Sequence, residues 1–218
     1  VNMPVDMAKV DNDMEEYLSR HTSPMADTLM ELTRFTYLST CNPRMISGPI
    51  QGKFLQLLCN ISRPNRILEV GTFTGYTSIC MALGSPPHTV IDTIEVNDEL
   101  EETIQTYTSM AGVDSKIRLH LGDACQIIPT LDYTYDFAYI DGDKREYPEY
   151  YKLVLPKVNS GGLIIADNVL WGGKVVDASE NDEHTKALRA FNTMVQNDMG
   201  VENVLLPLRD GIMLIYKL

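Results

Sequence analysis

The segment Arg66-Ile67-Leu68-Glu69-Val70-Gly71-Thr72-Phe73-Thr74-Gly75-Tyr76-Thr77-Ser78 constrains this chain most. An apolar run with β-branched residues reads as a buried strand, and it ends in a glycine turn. After Gly75 the apolar residues Tyr76, Ile79, Cys80 and Leu83 recur at helical spacing. A strand, a glycine turn and a helix at the start of an α/β alternation predict an open sheet with a ligand at its carboxyl edge.

The turn also narrows the ligand. A dinucleotide turn needs G-x-G-x-x-G, whose second glycine lets the backbone approach a pyrophosphate. Here Phe73 holds that position and the spacing is G-x-x-x-G. A nucleoside without a pyrophosphate suits such a turn, and S-adenosylmethionine (SAM) is the candidate. Gly71, Thr72 and Gly75 would face it.

The alternation continues along the chain. Strands are expected at 66–70, 89–95, 117–121, 135–140 and 162–166, with helices at 75–83, 98–111, 124–130, 146–157 and 183–198. Glu202 to Leu208, the turn Arg209-Asp210-Gly211 and Ile212 to Lys217 predict a closing antiparallel hairpin. Upstream, Asp11 to Ser39 is helical in pattern, broken near Thr22, where Ser23 would cap and Pro24 open a second helix. Asn42 to Gly48 reads as a loop and Pro49 to Asn60 as a helix. The expected fold is α/β: a Rossmann-like, seven-stranded, mostly parallel sheet with a C-terminal antiparallel hairpin and an N-terminal helical cover. One domain is expected over 1–218, with the cover at 1–48 and the core at 49–218.

Composition excludes several partner classes. The 218 residues carry 18 basic against 30 acidic side chains, a net charge of −12. Nucleic-acid backbones and anionic membranes both need clustered Lys and Arg, so neither is expected as a partner. No apolar window is long enough for a membrane span. Val1 to Val10 lacks the apolar core of a secretory leader. Cys41, Cys59, Cys80 and Cys125 are widely spaced and read as free thiols of a reducing compartment, which points to the cytoplasm.

The strand ends carry the chemistry. Glu69 can accept hydrogen bonds from a ligand and suits the positive charges of SAM, or it can cap the following helix. Glu95 ends the second strand about 20 residues past the turn, where an acid can grip ribose hydroxyls. Gly122-Asp123-Ala124 could floor an adenine, with Asp123 also a candidate N-cap. Asp141 follows the fourth strand, and Asp167-Asn168 closes the fifth. On adjacent parallel strands, two carboxylates and an amide oxygen make a hard-oxygen set for Mg²⁺, Mn²⁺ or Ca²⁺. The alternative is that each Asp caps its following turn. The four histidines show no zinc-like spacing.

At these residues the chain resembles the cation-dependent class I O-methyltransferases, the caffeoyl-CoA and catechol O-methyltransferase-like family. The matching segments are Met45 to Gly52, Leu68 to Ser78, Tyr139 to Lys144, Ala166 to Trp171 and Leu206 to Gly211, over roughly residues 14–218. The resemblance implies a SAM site using Met45, Ser47, Glu69, Gly71, Ser78, Glu95 and Ala124, with Asp141 beside it. It implies a divalent cation, Mg²⁺ foremost, on Asp141, Asp167 and Asn168, with Lys144 as general base. Two departures stand out. Gly142 replaces a common Ala, a change expected to do little. The loop from Gly172 to Asp182 looks shorter than in plant caffeoyl-CoA enzymes, which leaves coenzyme-A thioester specificity open.

The expected reaction is methyl transfer from SAM to a hydroxyl of a small catechol-type aromatic that chelates the cation through adjacent oxygens. A lysine beside a divalent cation gives up its proton more easily, which suits Lys144 to the base. Trp171 could wall the substrate ring or pack under its loop. Tyr147, Tyr150 and Tyr151 read as core or interface. The N-terminal helices would cover the site or build a homodimer. The rival readings are a SAM-binding module without catalysis, a metal-independent small-molecule methyltransferase and a nicotinamide oxidoreductase, the last disfavoured by Phe73 and the final hairpin.

Overall fold

The computed structural model describes Met14 and residues 16–218. Seven strands form one sheet: β1 (Arg66–Val70), β2 (Val90–Glu95), β3 (Ile117–Leu121), β4 (Tyr135–Ile140), β5 (Val158–Asp167), β6 (Val201–Leu206) and β7 (Ile212–Lys217), in the order β3-β2-β1-β4-β5-β7-β6. Strands β1 to β5 run parallel, and β7 pairs antiparallel with both β5 and β6. This is the expected Rossmann-like topology, hairpin included. The helices are α1 (Asp27–Ser39), α2 (Pro49–Ser62), α3 (Tyr76–Gly84), α4 (Glu101–Met110), the single turn α5 (Ala124–Ile127), α6 (Tyr147–Val154) and α7 (Glu183–Gln196). The expected helix start at Asp11 lies outside the described residues.

Alternation along the central strands builds a core on each face. Ile67, Phe137, Tyr139 and Ile165 pack with Leu32, Leu55, Ile79 and Met81 from α1, α2 and α3. Leu68, Ala138, Ile140 and Ile164 face Tyr147, Val154, Leu188 and Phe191 from α6 and α7. A parallel sheet covered on both faces favours apolar residues throughout its strands, as Phe137 to Ile140 and Leu163 to Ala166 supply; Glu69 in β1 and Asp92 and Thr93 in β2 are buried polar exceptions.

Several boundaries differ from expectation. Helix α1 opens at Asp27, with no side-chain cap from Ala26. Residues 23–26 run without helix, and Met25 packs into the α1–α3 core. Pro129 and Pro156 withhold amide donors, so the 124–130 and 146–157 segments end in 3-10 turns. Strand β5 begins at Val158 rather than 162. Its first half, Val158-Asn159-Ser160-Gly161-Gly162, contains a register shift against β4 and a left-handed Gly161 (φ +81°). A bulge with polar residues and glycines hides a strand from any pattern of alternation.

The five parallel strands end at one edge, and the chain stays tied together just past it. Gly71 N donates to Ile94 O at 3.0 Å, Gly122 N to Glu95 O at 2.8 Å and Asp141 N to Val70 O at 2.8 Å. Gly71 is left-handed (φ +92°), and a Cβ there would sit 2.3 Å from the Asp141 carbonyl oxygen. Only glycine lets the first turn and the fourth strand approach this closely.

Candidate active site

A cleft of about 970 Å³ lies along this carboxyl edge, from the ends of β2 and β3 to the β6–β7 turn. Met45, Gly71, Glu95, Asp123, Ala124, Asp141, Lys144, Asp167, Asn168 and Trp171 all line it. Ser47, Glu69, Thr72, Gly75 and Ser78 stand behind the lining.

Glu69 is fully buried and accepts from Thr77 Oγ1 at 2.6 Å, from Thr93 Oγ1 at 2.6 Å and from Ser78 Oγ. Both carboxylate oxygens therefore bond within the protein, tying α3 to β1 and β2. Burial pushes this carboxyl up to about 7, against the pull of the three hydroxyls. These bonds make Glu69 a strut under the turn. Ser78 and Thr72 serve the same frame, Thr72 through Thr93 Oγ1 at 2.6 Å.

Glu95 faces the cleft. Its Oε2 accepts from Phe73 N at 2.7 Å and its Oε1 from Asn97 N at 2.9 Å, so the carboxylate is fixed in direction before any ligand arrives. Phe73 adopts a left-handed φ of +51°, which aims its amide at Glu95. Asp123 caps α5 through Cys125 N at 2.8 Å, as its N-cap reading anticipates. Asp123, Cys125 and Glu146 cluster at this end of the cleft. Burial, with Glu146 adding, pushes the Cys125 thiol up to about 11.

At the other end, the β4–β5 register pairs Ile140 with Ala166 and so sets Asp141 beside Asp167. Asp167 Oδ2 accepts from Gln51 Nε2 at 2.5 Å and Tyr139 OH at 3.0 Å, and its Oδ1 from Asn168 N at 2.7 Å. Asp141 Oδ1 accepts from Lys144 Nζ at 2.5 Å. Desolvation pushes the Asp141 carboxyl up to about 6, with Lys144 opposing the shift and Asp167 adding to it. Asn168 holds a left-handed φ of +57° on the cleft wall. Two crowded, desolvated carboxylates call for positive charge, and with the Asn168 amide they offer hard oxygen donors only. This donor chemistry fits a divalent cation of the Mg²⁺ class.

Lys144 is held from three sides, by Asp141, by Gly142 O at 3.2 Å and by Tyr147 OH at 2.9 Å. Tyr147 donates in turn to Asp167 O at 2.8 Å and lies within 3.2 Å of Ile140 O. The three tyrosines are buried as expected, yet the Tyr147 hydroxyl works on the site. Tyr150 corrects another expectation. A Cβ at Gly142 would meet the Tyr150 ring at 2.8 Å, so an alanine there would displace it.

Trp171, itself left-handed at φ +51°, stacks on His184 with centroids 5.5 Å apart. Arg189 clamps the loop behind it through the carbonyls of Lys174, Val175 and Glu180 at 2.8–2.9 Å and that of Asp177. Sequence reading missed Gln51, Arg209 and His184. Gln51 had a signal: it shares the buried stripe of α2 with Leu55 and Cys59. A polar side chain on an apolar stripe asks for a partner. Arg209 reaches the cleft from the β6–β7 turn and His184 from the first turn of α7, each distant in sequence from the other site residues.

Known proteins resemble this chain in sequence and in fold. The profile of a family described as O-methyltransferase matches residues 10–218. A catechol O-methyltransferase of Niastella koreensis is 34% identical over 168 residues, covering 75% of this chain and 76% of that one. A caffeoyl-CoA O-methyltransferase of Stellaria longipes is 31% identical over 179 residues, covering 77% and 74%. An O-methyltransferase of Streptomyces achromogenes involved in tomaymycin synthesis, solved in complex with SAM, superposes with a TM-score of 0.91 at 28% identity over 98% of this chain and 99% of that one. One from Bacillus cereus, in complex with SAH, gives 0.86 at 29% identity over 94% and 97%.

Proposed function

The chain belongs to the O-methyltransferase family, and from that premise we propose that it moves the methyl group of SAM to a hydroxyl of a catechol-type aromatic, with a divalent cation. The observation that carries this reading is the Asp141–Asp167 pair at matching strand ends, with Lys144 Nζ 2.5 Å from Asp141.

SAM occupies the β1–β4 part of the cleft. Glu95 takes the ribose hydroxyls, Gly122 to Ala124 lie along the base, and the 45–48 loop and Gly71 flank the amino-acid end. Asp141, Asp167 and Asn168 would hold the cation, and its charge would make an acceptor hydroxyl more acidic. The hydroxyl proton passes to Lys144 as the oxygen bonds to the methyl carbon, and the methyl–sulfur bond breaks to give S-adenosylhomocysteine. Lys144 must be neutral to take that proton. Trp171 and His184 wall the acceptor ring. Gln51 and Tyr139 keep Asp167 aimed at the cleft.

The protein works as a homodimer in the cytoplasm, on a small aromatic, without nucleic acid or membrane. Met30, Tyr37 and Leu38 are exposed on α1 and support the dimer. Among the described residues no helix is long and apolar enough to cross a membrane. Mn²⁺ titration followed by its paramagnetic resonance tests the cation site. Wild type removes free Mn²⁺ at one site per chain and Asp167→Ala loses it; equal binding by both contradicts the assignment.

A further inference from the structure

The cleft presents Glu95, Asp123 and Glu146 at its β2–β3 end, and two arginines, Arg44 and Arg209, also line it, Arg209 from the β6–β7 turn. These arginines lie in a chain of net charge −12. Among the described residues neither forms an ion pair.

Arg209 is built into its place. It sits in the β6–β7 turn with a left-handed φ of +50°, a conformation glycine adopts at less cost. Its Nη1 donates to Ile46 O at 3.2 Å and to Gln51 Oε1 at 3.4 Å. Gln51 in turn donates to Asp167. One nitrogen thus anchors the side chain two hydrogen bonds from the cation site, leaving the other guanidinium donors for a ligand. A guanidinium matches the two oxygens of a carboxylate.

We propose that the methyl acceptor carries a carboxylate on its aromatic ring or side chain, and that Arg209 binds it and selects such acceptors. This rests on the reading of the β5 end as the acceptor end.

The test compares 3,4-dihydroxybenzoate with unsubstituted catechol at saturating SAM and Mg²⁺, in wild type, Arg209→Ala and Arg209→Lys. Calorimetry of both compounds on protein loaded with S-adenosylhomocysteine and Mg²⁺ runs alongside. Wild type should favour the carboxylate compound. In Arg209→Ala that preference, as a ratio of kcat/KM and of affinity, should fall roughly ten- to a hundred-fold, with part regained in Arg209→Lys. Taking the ratio cancels any general damage from loosening Gln51. Turnover of catechol with an unmoved ratio, or a wild-type preference for dopamine, overturns this inference alone. Binding without turnover still reads the ratio. Neither binding nor turnover of any catechol overturns the function assigned above along with it.

Discussion

The phenol of Tyr147 donates to the main-chain carbonyl of Asp167 at 2.8 Å, so a residue of α6 pins the end of β5. The same oxygen receives Lys144 Nζ at 2.9 Å. One hydroxyl therefore sets the distance between the proposed base and the proposed cation site.

Tyr147→Phe should keep the ring packed against Phe191 while freeing both partners. We expect a stability loss of about 1–3 kcal/mol in urea and a fall in kcat of about tenfold, with affinity for SAM retained. Lys144→Ala should cost turnover about 10²–10⁴-fold, again with SAM binding intact. Unchanged kcat in Lys144→Ala would remove the lysine from the mechanism.

Gly142→Ala carries a methyl group into the Tyr150 ring. Tyr150 also donates to Glu146 at 2.6 Å, which restrains the ring from moving away. The variant should lose about 1–3 kcal/mol of stability. In a double-mutant cycle, Tyr150→Ala should cancel most of the cost of Gly142→Ala. Additive losses would mean that the ring yields freely.

Glu69 predicts a pH dependence. Its folded value of about 7 lies above the ordinary 4.5, so between those values the folded chain binds a proton that the unfolded chain has released. Its contribution to stability is full below about pH 4.5, falls as pH rises and levels off above about 7. The size is about 3 kcal/mol, as an order of magnitude. The wild-type-minus-Glu69→Gln difference in urea stability should show that slope in ligand-free protein. A flat difference would mean that Glu69 stays ionised in its hydroxyl cage.

The order of elements was legible because central parallel strands are continuous apolar runs, broken by turns that only glycine can make, as at Gly71. The Asp141–Asp167 pairing was legible too, since strands of matching polarity end at one edge. What stayed hidden depends on three-dimensional packing. Nothing local to Glu69 says that Thr77, Ser78 and Thr93 will close around it. The cost of a side chain at Gly142 depends on Tyr150, eight residues on and in another element. Arg209 enters the cleft only once the hairpin has folded back over α2.

The central claim is that the two carboxylates at the ends of β4 and β5 serve a cation-assisted methyl transfer. Formation of S-adenosylhomocysteine from SAM and a catechol, measured with Mg²⁺ and again with EDTA, tests it most directly. The account predicts turnover with Mg²⁺ that EDTA abolishes and added Mg²⁺ restores. Turnover that proceeds equally in EDTA would contradict it.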